Sequence, residues 1–125
     1  MSFVLLSAAQ VEVLHDAILN PGELPGRARD KSLEAALDRV DNRIAYGMVE
    51  DVFDLAAAYA MAVARGHCFN DGNKRTAFRT MNAALALNGI RIDWNTDEVG
   101  QTIIALAQGK LDDADLADWL RVKAR

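Results

Sequence analysis

The chain has 125 residues, 51% of them apolar and 6% aromatic, which bounds it to one domain (residues 1–125) with a core that needs no disulfide or metal staple. A net charge of −4, from 14 basic and 18 acidic residues, excludes a protein that coats nucleic acid, and no uncharged apolar run of about 18 residues is present to span a membrane. The single cysteine cannot close an internal disulfide and the N-terminal Met-Ser-Phe-Val-Leu-Leu-Ser lacks the basic start of a signal peptide, so a cytoplasmic location is expected.

Ser7 with Gln10 forms a capping-box pattern that opens a first helix, carried by Val11, Leu14, Ile18 and Leu19 and stopped near Asn20-Pro21-Gly22. Pro21 to Asp30 holds both prolines and two glycines and reads as a loop or flap. Leu33, Ala36, Leu37, Val40 and Ile44 give a second helical stripe that ends near Gly47. An alanine-rich third helix is expected from about Met48 to Arg65, with Gly66 as its left-handed stop. A fourth runs from about Asn73 to Leu87. Ile90-Arg91-Ile92-Asp93-Trp94 alternates and suggests a brief extended piece. Asn95 or Thr96 caps a fifth helix from about Asp97 to Ala107, and Asp112 or Asp113 opens a sixth through Leu116, Trp119, Leu120 and Val122. The reading is all-α, with about six helices and both tryptophans in the core.

Between the third and fourth helices stands His-Cys-Phe-Asn-Asp-Gly-Asn-Lys-Arg-Thr, residues 67–76. Phosphoryl transfer needs a group to take a proton, a carboxylate for Mg²⁺ and a cradle for phosphates, and this decapeptide holds all three. Its six chemically telling positions would match by chance roughly once in 10⁷–10⁸ windows at about 5% usage per residue type. His67 is the candidate general base, with a structural histidine as the bland alternative. Asp71 is the candidate Mg²⁺ ligand, because Mg²⁺ is commonly held by one carboxylate plus phosphate oxygens. Gly72 lets the chain turn tightly, so the amides of Gly72, Asn73 and Lys74 at a helix start can form an anion hole. The plainer alternative is that Asp71 or Asn73 only caps the helix. Lys74 and Arg75 are placed to face phosphates, and Arg79 follows Arg75 by one turn on the same face. A solvated basic face is the alternative for these three. Phe69 anchors the loop in the core, Cys68 is a packing residue, and His15 reads as an ordinary structural histidine.

This decapeptide resembles the signature of the Fic/Doc superfamily, in the form carried by death-on-curing (Doc) toxins. Cys68 stands where adenylylating Fic enzymes have Pro, Lys74 where they have a second Gly, and Phe78 where they have a second Arg. Residues 65–79 carry the specific likeness, with weaker echoes at Leu24-Pro25-Gly26 and around Arg43–Tyr46. The resemblance implies a Fic-fold helical bundle and a toxin that moves the γ-phosphoryl of Mg-ATP to a Ser or Thr hydroxyl of a protein, elongation factor Tu, halting translation. It implies that Asn73 belongs to the anion hole, and that the Pro21–Asp30 segment acts as a flap that aligns the target. It also implies an antitoxin whose tail folds as a helix onto this domain, since no Ser/Thr-x-x-x-Glu-Gly/Asn inhibitory pattern occurs in the chain. AMP transfer on the same fold, or a non-catalytic antitoxin-binding module, are the alternatives.

Overall fold

The computed structural model describes residues 2–125 as six helices: α1 (Ala8–Ile18), α2 (Leu33–Ala45), α3 (Val52–Gly66), α4 (Asn73–Leu87), α5 (Thr96–Ala107) and α6 (Asp113–Lys123). No strand forms among the described residues, and the backbone pairs in β fashion only at an isolated bridge between Arg27 and Phe69.

The composition of α3 makes it the central helix. Ala56, Ala57, Ala58, Ala60, Ala62 and Ala64 are all buried, along with Leu55, Tyr59 and Val63. A helix apolar on every side must be surrounded, and small side chains let its neighbours approach closely. Accordingly α2, α4, α5 and α6 pack around α3, and α1 lies against α4. Long polar side chains then tie the bundle. The Tyr59 hydroxyl accepts from Leu6 N–H at 2.8 Å and donates to Leu6 C=O at 3.2 Å. Burial pushes its pKa up. Arg65 donates to the carbonyls of Leu106 and Leu111 at 2.9 and 2.7 Å, which holds the α5–α6 connection. Arg121 of α6 grips Asp51 and Asp54 at the start of α3.

Five helices open on a side-chain cap, from Ser7, Ser32, Asp51, Asn95 and Asp112. The exception is α4, which opens on Gly72 with no side-chain cap. The capping box read at Ser7–Gln10 forms as expected.

Three expectations are corrected. The third helix starts at Val52, not near Met48, because Asp51 turns its carboxylate onto Asp54 N–H and sets the boundary there. Gly66 lies inside α3, and the left-handed residue is His67, at φ 50° and ψ 39°. Gly66 is small for a different reason: a Cβ there would stand 3.0 Å from Cys68 Sγ and 3.3 Å from Ala36 Cβ. The alternating Ile90–Trp94 segment is irregular backbone, with Ile92 buried and no strand for it to pair with among the described residues. Trp94 and Trp119 pack against the core but stay partly exposed. Trp94 meets Phe78 edge-on at 5.4 Å and donates to Asn82 at 3.0 Å.

Candidate functional site

The α3–α4 loop is built on a buried anchor. Phe69 is 2% exposed, and Cys68 beside it is equally buried, with its thiol pKa pushed up by that burial. Asn73 clamps the loop from the first turn of α4. Its side chain accepts from Phe69 N–H at 3.1 Å and donates to Phe69 C=O at 2.9 Å. The Asn73 side chain is therefore a structural clamp, and only its backbone N–H remains for an anion.

The chain turns into α4 at Gly72, whose φ of 79° favours glycine. The first intrahelical bond runs from Thr76 N–H to Gly72 C=O at 2.9 Å. Ahead of it, the amides of residues 73–75 have no intrahelical acceptor, and no side chain caps them. These donors and the positive end of the α4 dipole line a cleft of about 300 Å³. Ala64, His67, Asn70, Asp71, Gly72, Asn73, Lys74 and Arg75 form its walls.

The left-handed turn at the end of α3 swings His67 out to solvent, at the cleft wall. Its ring meets no hydrogen-bonding partner among the described residues. Asp71 offers its carboxylate to the same cleft. Its Oδ2 accepts Leu24 N–H at 2.8 Å, which leaves Oδ1 without a protein partner among the described residues. Lys74 is exposed and has no ion-pair partner among the described residues. Arg75 also lines the cleft, but its guanidinium is engaged: Nη1 donates to Ile18 C=O at 2.9 Å and Nη2 pairs with Glu23. Hydrogen bonding from Arg75 holds the Glu23 carboxyl below the usual carboxylate range. Arg79 is exposed and does not line the cleft. Six of the seven residues singled out from the sequence thus meet around one opening, and Arg79 lies outside it.

Residues 5–85 match the model of the Fic/DOC family. The chain belongs to that family. It is 38% identical over 117 residues to "Protein kinase doc" of Escherichia phage P1, an alignment that takes in 93% of this chain and 92% of that protein. Within this Fic/DOC domain, the loop between α1 and α2 packs directly on the signature. Ala28 N–H donates to Cys68 C=O at 2.7 Å and Asn70 N–H to Gly26 C=O at 3.2 Å. Asn70 Nδ2 reaches Pro25 C=O at 3.0 Å, so Asn70 fastens the two loops together. Arg27 locks the loop to α1 and α2 by bonding both Glu12 and Glu34.

Sequence reasoning missed two residues. His15 is fully buried and reaches Asp71 C=O with Nε2 at 2.7 Å, while its ring stacks on Phe69 with centroids 3.8 Å apart. A carbonyl only accepts, so Nε2 is the donor. Nδ1 faces Asp16 Oδ1 at 3.1 Å. Its one signal in the sequence is its place on the apolar stripe of α1, four residues after Val11. Glu23, the partner of Arg75, sits in a Pro/Gly loop and gives no local signal. Beside the cleft, Phe78, Trp94, Val99, Ile103 and Ile104 line an apolar groove of about 420 Å³ that shares Lys74 and Arg75 with it.

Proposed function

We propose that this chain is a Doc-type protein kinase that transfers the γ-phosphoryl group of ATP to a Ser or Thr hydroxyl of another protein. The observation that carries the reading is the uncapped start of α4, opening into a cleft that also holds an unpartnered imidazole and a carboxylate with one free oxygen. The name of the phage P1 relative points the same way.

In this reading the substrate hydroxyl gives its proton to His67 as its oxygen attacks the γ-phosphorus. The bond from that phosphorus to the bridging oxygen breaks, ADP leaves, and His67 returns the proton to solvent. The free amides of residues 73–75 and the Lys74 ammonium receive phosphate oxygens, where charge develops. Asp71 fits a divalent ion of the Mg²⁺ kind: one free carboxylate oxygen is what such an ion takes when phosphates and water complete its shell. The described residues hold no cluster of three ligating side chains that would cage a metal by themselves. Bound there, Mg²⁺ would supply charge neutralisation at the transferring phosphates. The apolar groove beside Lys74 offers a surface for the base of the nucleotide.

The same reading makes the protein a toxin whose target is elongation factor Tu, restrained by an antitoxin whose tail folds as a helix onto this domain. AMP transfer remains the rival chemistry, because an amide cradle accepts an α-phosphate as readily as a γ-phosphate. Incubation with Mg²⁺, bacterial lysate and ATP labelled at either the α- or the γ-phosphorus separates them. Label from γ alone, absent with His67→Ala, supports the kinase; label from α overturns it. Co-expression with the antitoxin should restore growth.

A further inference from the structure

The buried face of α1 carries a residue that neither the loop signature nor the proposed reaction uses. His15 is fully buried, yet it is polar, and both of its nitrogens are committed. A histidine that merely filled the core would be replaced at lower desolvation cost by leucine or phenylalanine. Here the Nε2–H reaches across 56 residues of sequence to the carbonyl of Asp71, at 2.7 Å. The flat of the same ring lies against Phe69, only 7° from parallel. That carbonyl belongs to the Asp71–Gly72 peptide, the link between the carboxylate and the left-handed turn that starts α4. Fixing its direction fixes two things together: where the Asp71 side chain leaves the backbone, and how the amides after Gly72 point. Leu24 N–H holds the other end of Asp71, at Oδ2.

We propose that His15 is a positioning residue of the phosphoryl-transfer site, setting the Asp71–Gly72 peptide so that the free carboxylate oxygen and the α4 amides face the same phosphates. This rests on the reading of Asp71 as the metal-holding carboxylate. His15 touches neither substrate nor metal and acts through Asp71 and Phe69. Groups that orient a metal-binding residue without touching the metal typically alter affinity or activity by about 10- to 100-fold.

The test compares His15→Leu, close in volume but with no donor, and His15→Gln, which keeps an N–H at similar reach. Two measurements are made on each. The first is the amide NMR spectrum of the nucleotide-free protein. The second is binding of a non-hydrolysable ATP analogue with and without Mg²⁺, by calorimetry. His15→Leu is expected to shift the amides of residues 71–73 while leaving those of α5 and α6 in place. It should weaken Mg²⁺-dependent binding by about 10- to 100-fold. The Mg²⁺-independent component, which uses the amides without the carboxylate, should weaken less, and His15→Gln should recover most of the loss. A Leu variant that melts earlier but binds the Mg²⁺ complex as the wild type does overturns the proposal, as does a Gln variant no better than Leu. If the wild type itself binds no nucleotide with Mg²⁺, the kinase reading fails. The spectra then decide on their own: shifts confined to α1 and Phe69, with residues 71–73 unmoved, sink the positioning role.

Discussion

His67 presents a direct test of whether the site stores strain. It is the only non-glycine residue with positive φ among those described, at 50°, and its ring is exposed with no partner there. For an L-residue the left-handed region costs about 1–2 kcal/mol, toward the lower end for histidine. Glycine there relieves the cost but loses about 0.5–1 kcal/mol through the freedom of its unfolded chain. Since no side-chain bond is lost, His67→Gly should be more stable than the wild type by about 0.5 kcal/mol, and His67→Ala, which keeps the penalty, should lie within about 0.5 kcal/mol of it. At roughly 3–5 °C per kcal/mol for a domain of this size, the glycine variant should melt about 2 °C above the wild type. Calorimetry of the three proteins under one buffer reads this directly, and γ-labelled ATP reads the chemistry in the same samples. Both variants should lose phosphoryl transfer by about 10²–10⁴-fold, the share a general base supplies. A glycine variant that melts no higher than the alanine variant would refute the strain argument. Transfer surviving in either would remove His67 as the base.

Three other perturbations probe the shell of the cleft. Asn73→Ala deletes both bonds to the Phe69 backbone, worth about 1–3 kcal/mol together. It should lower stability by that amount in urea titrations and speed hydrogen exchange at Phe69. Glu23→Gln keeps the bond from Asn20 N–H but releases Arg75 from an ion pair. Freed from that pair, Arg75 should bind nucleotide more tightly, by a few-fold at most, and weaker binding would show instead that Glu23 holds Arg75 in its working place. At the far end of α3, burial alone would raise the pKa of Asp51, but hydrogen bonds from Arg121 and from Asp54 N–H outweigh it and the net shift is downward. A lowered folded pKa means that this stabilisation is complete above the ordinary carboxylate value near 4 and is lost as pH falls through the folded value. Asp51→Asn should therefore flatten the acid limb of a stability-versus-pH curve measured by urea midpoint.

The helices were legible from their apolar stripes, with Ser7, Asn95 and Asp112 marking the starts of α1, α5 and α6, and α4 ran from Asn73 to Leu87 as its pattern predicts. The cleft was legible because its groups are contiguous: residues 67–75 bring imidazole, carboxylate, glycine turn and cation into one loop, so no long-range contact has to be guessed. What escaped was tertiary. Gly66 reads as a helix stop, and only the approach of Cys68 and Ala36 reveals that its smallness serves packing while His67 takes the turn. The commitment of Arg75 to Glu23 joins residues 52 apart, and the bond from His15 to Asp71 joins residues 56 apart. Nothing in local spacing distinguishes either from a surface pair or a core histidine.

The same contacts explain how the loop tolerates its unfavourable features. A left-handed histidine, an uncapped helix start and an unpaired carboxylate oxygen all lie within residues 67–75, and each would relax if its surroundings allowed. They are prevented from three sides. Behind the loop, α3 is packed on every face, so the chain cannot rewind past Gly66 to relieve His67. Beneath it, Phe69 is held by Asn73 through two bonds and by the His15 ring through its face. In front, the loop between α1 and α2 pairs with residues 68 and 70 and is itself locked by Arg27 to Glu12 and Glu34. Strain at a site persists only where its frame is over-determined, and here the frame comes from α1, α3 and the α1–α2 loop. Loosening the frame should therefore reach the chemistry before it reaches the fold. Arg27→Met, outside the lining of the cleft, should slow transfer through the freed loop while costing little stability. Equal and parallel losses of both would mean that loop and bundle unfold as one unit.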